Sequence, residues 1–166
     1  ILFFLPCTWI VALSLRKGTI MQSTLSPRLL ACGAALLLAL IILTGIATAD
    51  RATWLMEVTP VIIVVPLLWA TVQRYPLTPL LYVLIFFHAV ILIVGGMYTY
   101  AKVPVGFEVQ SWLGLDRNPY DKLGHFFQGL VPALAAREIL LRGAIVRGRR
   151  MLAFIVCCIA LAISAL

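Results

Sequence analysis

Long stretches without charge, broken by short polar connections, set the pattern of this chain. Apolar positions fill Arg28 to Ala47, Trp54 to Val72 and Leu77 to Tyr98 almost without interruption. Each run is close to the ~20 residues that a helix needs to cross ~30 Å of hydrocarbon. A fourth run, Leu123 to Leu141, is apolar apart from His125, Gln128, Arg137 and Glu138. A fifth starts at Met151 and is still apolar at Leu166, a length that rises only ~24 Å as a helix. The pattern predicts an all-α fold, a polytopic transmembrane helical bundle with about five spans.

The ends of the chain carry their own expectations. Residues 1–20 form a separate apolar segment ahead of Met21, which opens a conventional membrane-protein start with polar residues and Arg28 before the first span. In residues 1–17 the charge (Arg16, Lys17) follows the apolar run, the reverse of a signal peptide. The segment therefore reads as upstream sequence, with a short extra span as the second reading. Residues 21–166 read as one multi-pass membrane domain, expected to be incomplete at its C-terminus because the fifth run lacks a polar flank.

Composition fixes the solvent. The 166 residues are 63% hydrophobic and 11% charged, with a mean hydropathy of +1.09. A soluble domain is nearer half apolar and a quarter charged, so the partner of this surface is the lipid bilayer. The same apolar surface leaves a homo-oligomer open. Thirteen Lys and Arg against six Asp and Glu give a net charge of +7. These cations are dispersed among connections, with no patch and no aromatic platform, which argues against nucleic acid. They speak instead to orientation, because retained loops are rich in Lys and Arg. Arg16, Lys17 and Arg28, then Arg74, then Arg142, Arg147, Arg149 and Arg150 fall on one side if every run crosses. That side is expected to be cytoplasmic, which sends the 99–122 loop to the periplasm or exterior. Cys7, Cys32, Cys157 and Cys158 lie inside apolar segments without a C-x-x-C spacing and read as small hydrophobes.

Local features refine the bundle. Pro60 and Pro66 predict a bend or unwinding in the second span. Gly95 and Gly96 permit close helix approach. The loop after them, with Phe107 and Trp112, reads as a short amphipathic piece at the interface.

Ionisable groups inside a membrane are costly and usually face the bundle interior, so the few present here are the candidate polar site: Asp121, His125, Gln128, Glu57 and His88. Asn118, Pro119 and Asp121 suit the N-cap, N1 and N3 positions of the fourth span, which is a structural reason for Asp121. Asp121 and His125 are also i and i+4 on one face with Gln128. A carboxylate beside an imidazole at a wet helix end orients the ring and raises its basicity, as a proton relay requires. Two ligands from one helix do not make a metal site, so none is expected. His88, near the middle of the third span, reads as a packed neutral imidazole or as part of a path. Glu57 lies one turn below Trp54, within reach of His125 or Lys122 across a bundle. Tyr98 and Tyr100 read as interfacial aromatics. Glu138 and Arg142 are ordered for an i to i+4 pair, and Arg137 is expected to snorkel to the headgroups. No G-x-S-x-G, H-E-x-x-H or phosphate-cradling glycine loop is present, and the sequence names no cofactor.

The run Asn118-Pro119-Tyr120-Asp121-Lys122-Leu123-Gly124-His125-Phe126, followed by Gln128-Gly129 and Arg137-Glu138, resembles the YjdF-like bacterial inner-membrane proteins of unknown function. So do Leu43 to Ile46, the Asp50 to Trp54 turn, Glu57, Pro76 to Pro79 and His88, which extends the likeness over roughly Met21 to Leu166. The resemblance implies a compact multi-pass bundle, a pattern that continues beyond Leu166, and no activity to transfer. A narrower likeness, through Asp121-Lys122 and His125-Phe126, is to VanZ-like membrane proteins and implies an envelope or resistance-associated role. Three functions follow as expectations: an outer-side site for a small polar ligand, a small-molecule or proton-coupled transporter using His88 and His125, and an assembly protein whose polar groups only fix helix register.

Overall fold

The computed structural model describes residues 25–165, so the apolar segment 1–20, Cys7 and Met21 lie outside the described residues. Six helices follow in order: α1 Pro27–Ala47, α2 Arg51–Thr71, α3 Pro79–Tyr98, α4 Pro104–Leu113, α5 Tyr120–Arg142 and α6 Arg149–Ser164. No strand occurs among the described residues. The chain is a helical membrane bundle.

Each boundary has a local cause. Ser26 caps α1 by accepting from the Leu29 amide at 3.3 Å, with Pro27 in the first turn. Asp50 caps α2 by accepting from the amides of Ala52 and Thr53, each at 3.1 Å. The Thr53 hydroxyl, donating to its other oxygen at 2.6 Å, and then these amides hold the Asp50 carboxyl below the usual range. Thr78 stands at the N-cap of α3, ahead of Pro79.

Length and apolarity qualify α1, α2 and α3 as membrane-crossing helices. α5 is 23 residues long, ~34 Å as a helix, and its polar residues cluster toward its two ends. α6 has 16 residues. α2 continues through Pro60 and Pro66, so the expected unwinding is absent. Each proline removes only one backbone donor, and a helix of five to six turns keeps the rest.

α3 is the centre of the bundle. α1, α2 and α5 all pack on it, and α6 packs on α5. Its buried residues, among them Ala89, Leu92 and Ile93, join Leu37 of α1 with Val58 and Val61 of α2 in one core. A second core gathers Leu77, Leu81 and Tyr82 with Leu25, Leu30 and Leu134. The outward residues of α1 and α2 are large and apolar, including Leu38, Leu43, Ile46, Met56 and Ile63. A bundle that exposes such side chains on its outer face is built for lipid.

The helices alternate in direction, so the molecule has two ends. One carries Asp50, Thr99 and Asn118, with α4 lying across it. The other carries Arg28, Arg74 and Arg142, because Leu30 of α1, with Leu25 just ahead of it, packs with the start of α3 and the last turns of α5. α4 is the amphipathic piece expected in the 99–122 loop. Gly106 is buried, while Phe107 is exposed and Trp112 is 89% exposed.

Candidate functional site

At the Asp50 end a tyrosine occupies the centre. Tyr100 follows α3 through two residues in the left-handed region, Thr99 at φ 56° and Tyr100 at φ 48°. Its amide donates back to the Gly95 carbonyl at 2.9 Å. This turn folds the ring between α3 and α5. A Cβ at Gly95 would come within 2.5 Å of the ring, and one at Gly124 within 2.7 Å. Two glycines on facing helices thus make the slot. The phenol donates to Glu57 Oε2 of α2 at 3.0 Å. Gly96 lets α2 approach, since a Cβ there would stand 3.0 Å from Glu57 Cβ. Burial, and then the Glu57 carboxylate, push the Tyr100 phenol above its ordinary range.

The surrounding polar groups are also committed inward. Tyr120 donates to the Ile91 carbonyl at 3.2 Å, and its ring lies 6.1 Å from that of Tyr100. Asn118 donates to the carbonyls of Ala101 and Val103, and accepts from the Tyr120 amide at 3.0 Å. The N-cap of α5 is Pro119 and not the expected Asn118, which moves Asp121 from N3 to N2; Asn118 accepts from the first helical amide from one residue further out. Trp54 turns onto α1, donating to Thr44 Oγ1 at 3.0 Å, where the absent side chain of Gly45 makes room for the indole.

Asp121 and His125 form a different unit. The imidazole Nε2 stands 3.7 Å from Asp121 Oδ1, and the two side chains are 63% (His125) and 58% (Asp121) exposed. Asp121 faces the imidazole, and neither residue meets Glu57 or His88. Gln128 is on the same helix but donates to the Ile163 carbonyl of α6 at 3.0 Å. His88 of α3 lies with its ring 6.4 Å from Phe127, and its Nε2 is buried with no hydrogen-bond partner among the described residues. Of the five candidates, only Asp121 and His125 are brought together. No group of three His, Cys, Asp or Glu suited to a metal ion occurs among the described residues.

Reading the sequence misplaced Tyr100, which is a buried wedge and not an interfacial marker. The signal available was the trio Gly95, Gly96 and Gly124, small residues that need a large one to fill the space they leave. Arg137 is half-buried, and its Nε has no hydrogen-bond partner among the described residues.

At the other end Glu138 of α5 reaches α3. Its carboxylate accepts from the Thr78 amide and the Thr78 hydroxyl, both at 2.8 Å, and pairs with Arg142 at 3.1 Å. Arg142 donates to the Pro76 carbonyl and lies over the Tyr75 ring at 5.7 Å. The pair read from spacing is present, and it is the lesser part of what Glu138 does.

A family model described as predicted membrane protein (DUF2238) matches residues 29–166, which include all five candidate residues and all six helices but for the first two residues of α1. This chain belongs to the DUF2238 family. It is 73% identical over 146 residues to the inner membrane protein YjdF of Escherichia coli (strain K12), a match that spans 88% of this chain and 70% of that protein. No solved structure matches. The DUF2238 chain is therefore a multi-pass protein of a bacterial inner membrane, and its biochemical activity is unknown. The expectation drawn from the Asn118–Phe126 run and its companion motifs holds.

Proposed function

We propose that the Arg74 end faces the cytoplasm and that the exposed Asp121–His125 pair, on the periplasmic side, receives a small polar ligand bearing a hydrogen-bond donor or a positive charge. The orientation is supported by Arg28, Arg74, Arg142, Arg147, Arg149 and Arg150 gathering at one end, where retained loops are basic.

The site reading rests on one contrast. Glu57, Tyr100, Asn118, Tyr120 and Gln128 all spend their polar atoms on the bundle itself. Asp121 and His125 stand 3.7 Å apart, beyond a hydrogen bond, and keep more than half their surface open. A carboxylate offers an acceptor to a donor-bearing ligand, and an adjacent imidazole can donate or accept a hydrogen bond beside it. A surface i to i+4 pair adds only ~0.2–0.5 kcal/mol to a helix, so stability alone is a weak reason for it.

A transport path finds less support. It needs polar groups in succession across the membrane, and His88 meets the Phe127 ring while His125 points away from the bundle.

Complementation of a strain lacking the protein tests the reading. Asp121→Asn and His125→Ala should abolish rescue while membrane abundance and thermal stability stay at the wild-type level. Equal loss of abundance would favour the assembly role, and full rescue by both variants would refute the site. Loss with His88→Leu, together with pH-dependent flux in vesicles, would favour transport. Topology reporters at Lys102 and Arg147 should report opposite compartments, and the same compartment for both would overturn the orientation.

A further inference from the structure

A cleft of about 460 Å³ opens between α1 and α2 on the half of the bundle nearest the Arg74 end. Its size falls within the ~300–1,000 Å³ typical of ligand pockets. Its walls are apolar: Leu29 and Leu36 on α1, Leu68 and Trp69 on α2, with Tyr82 and Phe86 of α3 as the floor. At the opposite end of the same two helices Trp54 of α2 packs on Gly45 of α1. Small residues at Gly33 and Ala34 widen it. A Cβ at Gly33 would stand an unstrained 3.8 Å from Phe86.

We infer that this cleft seats one acyl chain of an anionic phospholipid from the leaflet at the Arg74 end. Three observations converge on that occupant. The cleft runs along α1 from Leu29 to Leu37, ~12 Å of helix rise, and Leu25, ahead of the helix, extends it toward the ~15 Å of hydrocarbon in one leaflet. Its lining offers almost nothing but hydrocarbon contact. Its mouth is basic, with Arg28 one residue from Leu29 and Arg74 two residues beyond Val72, both exposed. A phosphate at headgroup level suits those two cations, because basic residues next to a membrane surface attract anionic lipid.

Photo-cross-linking of the full chain in nanodiscs tests the inference, with a phosphatidylglycerol carrying a diazirine on one acyl chain as the probe. Adducts mapped by mass spectrometry should concentrate at least five-fold on residues 29–37 and 65–72 relative to the equally apolar outer face of α6. Gly33→Leu, which fills the cleft and improves helix propensity, should cut those adducts about ten-fold and leave the α6 background unchanged. Arg28→Gln with Arg74→Gln should remove a several-fold preference over the phosphatidylcholine analogue. Labelling in proportion to exposure on every helix overturns the seat. Equal labelling of the wild-type chain by the zwitterionic probe overturns the anionic choice.

Discussion

Replacing Glu138 with Ala separates two accounts of the same residue. As a surface i to i+4 partner of Arg142, Glu138 would contribute only ~0.2–0.5 kcal/mol. The structure gives it far more to hold. It is 12% exposed, its Arg142 partner 21%, and both its oxygens accept from Thr78 across sixty residues of sequence. Thr78 is the N-cap of α3 and makes no side-chain cap of its own, so Glu138 caps α3 from another helix at the positive end of its dipole. Hydrogen bonds to a charged acceptor contribute ~1.5–3 kcal/mol each. Removing one partner of a largely buried ion pair costs ~3–5 kcal/mol. These overlapping figures place Glu138→Ala near ~3 kcal/mol, several times the surface value. Glu138→Gln, which keeps an acceptor for the Thr78 amide, should lose about half as much. The assay is equilibrium unfolding in mixed micelles followed by far-UV circular dichroism, as a double-mutant cycle with Thr78→Val. Coupling above ~1 kcal/mol is expected for groups in contact. A total loss below ~1 kcal/mol, or strict additivity with Thr78→Val, would refute the cross-helix cap.

Gly124→Leu drives a side chain into the Tyr100 ring, and overpacking of this kind costs ~1–3 kcal/mol; the same unfolding assay should show the loss largely relieved by Tyr100→Ala in the same chain. The Tyr100 phenol is held above its ordinary range, so its neutral form is favoured in the fold. Its contribution to stability is complete below ~10, the unfolded value, and is lost as pH rises beyond it. Absorbance titration at 295 nm should show that Tyr100→Phe removes one late-titrating phenol, and an unchanged late phase would refute the burial of that hydroxyl. His88→Leu replaces a buried nitrogen that lacks a partner among the described residues, and an apolar group of similar shape should leave stability unchanged or raise it by ~1 kcal/mol; a clear loss in the unfolding assay would mean that the imidazole is held by a polar contact.

The bundle was legible because lipid imposes a coarse rule: a long run without charge becomes a helix whose ends sit at the interface. Helix starts were less legible: the one cap read from the residues, Asn118, stands a residue ahead of the N-cap of α5, while Ser26 and Asp50 accept from the amides that open α1 and α2. The polar contacts across helices were not legible. Nothing in Thr99-Tyr100 announces a left-handed turn, a conformation usually left to glycine, and without that turn Tyr100 reads as one more interfacial aromatic. Glu138 failed for a related reason. Spacing gives partners on one helix, whereas its main partner, Thr78, is set by how α3 and α5 lie side by side. Asp121 and His125 were recognisable because both are on one helix, and their exposure decides what spacing cannot, namely that the face they share looks away from Glu57 and His88.

Two contacts at opposite ends fix α5 along α3. Apolar helices gain little from burial against each other in lipid, so close packing and interhelical hydrogen bonds must set their relative position. Near one end the Tyr100 ring fills the slot between Gly95 and Gly124, and near the other Glu138 holds Thr78. On α5 the two contact points, residues 124 and 138, are ~21 Å apart in rise. Sliding α5 by one helical turn, ~5.4 Å, would drive bulkier residues into the tyrosine and strip the cap from α3 at once. Asp121 and His125 lie within one turn of Gly124, on the clamped part of that helix. Their separation and exposure are therefore properties of the bundle as a whole, and a ligand that draws the pair inward must first displace Tyr100.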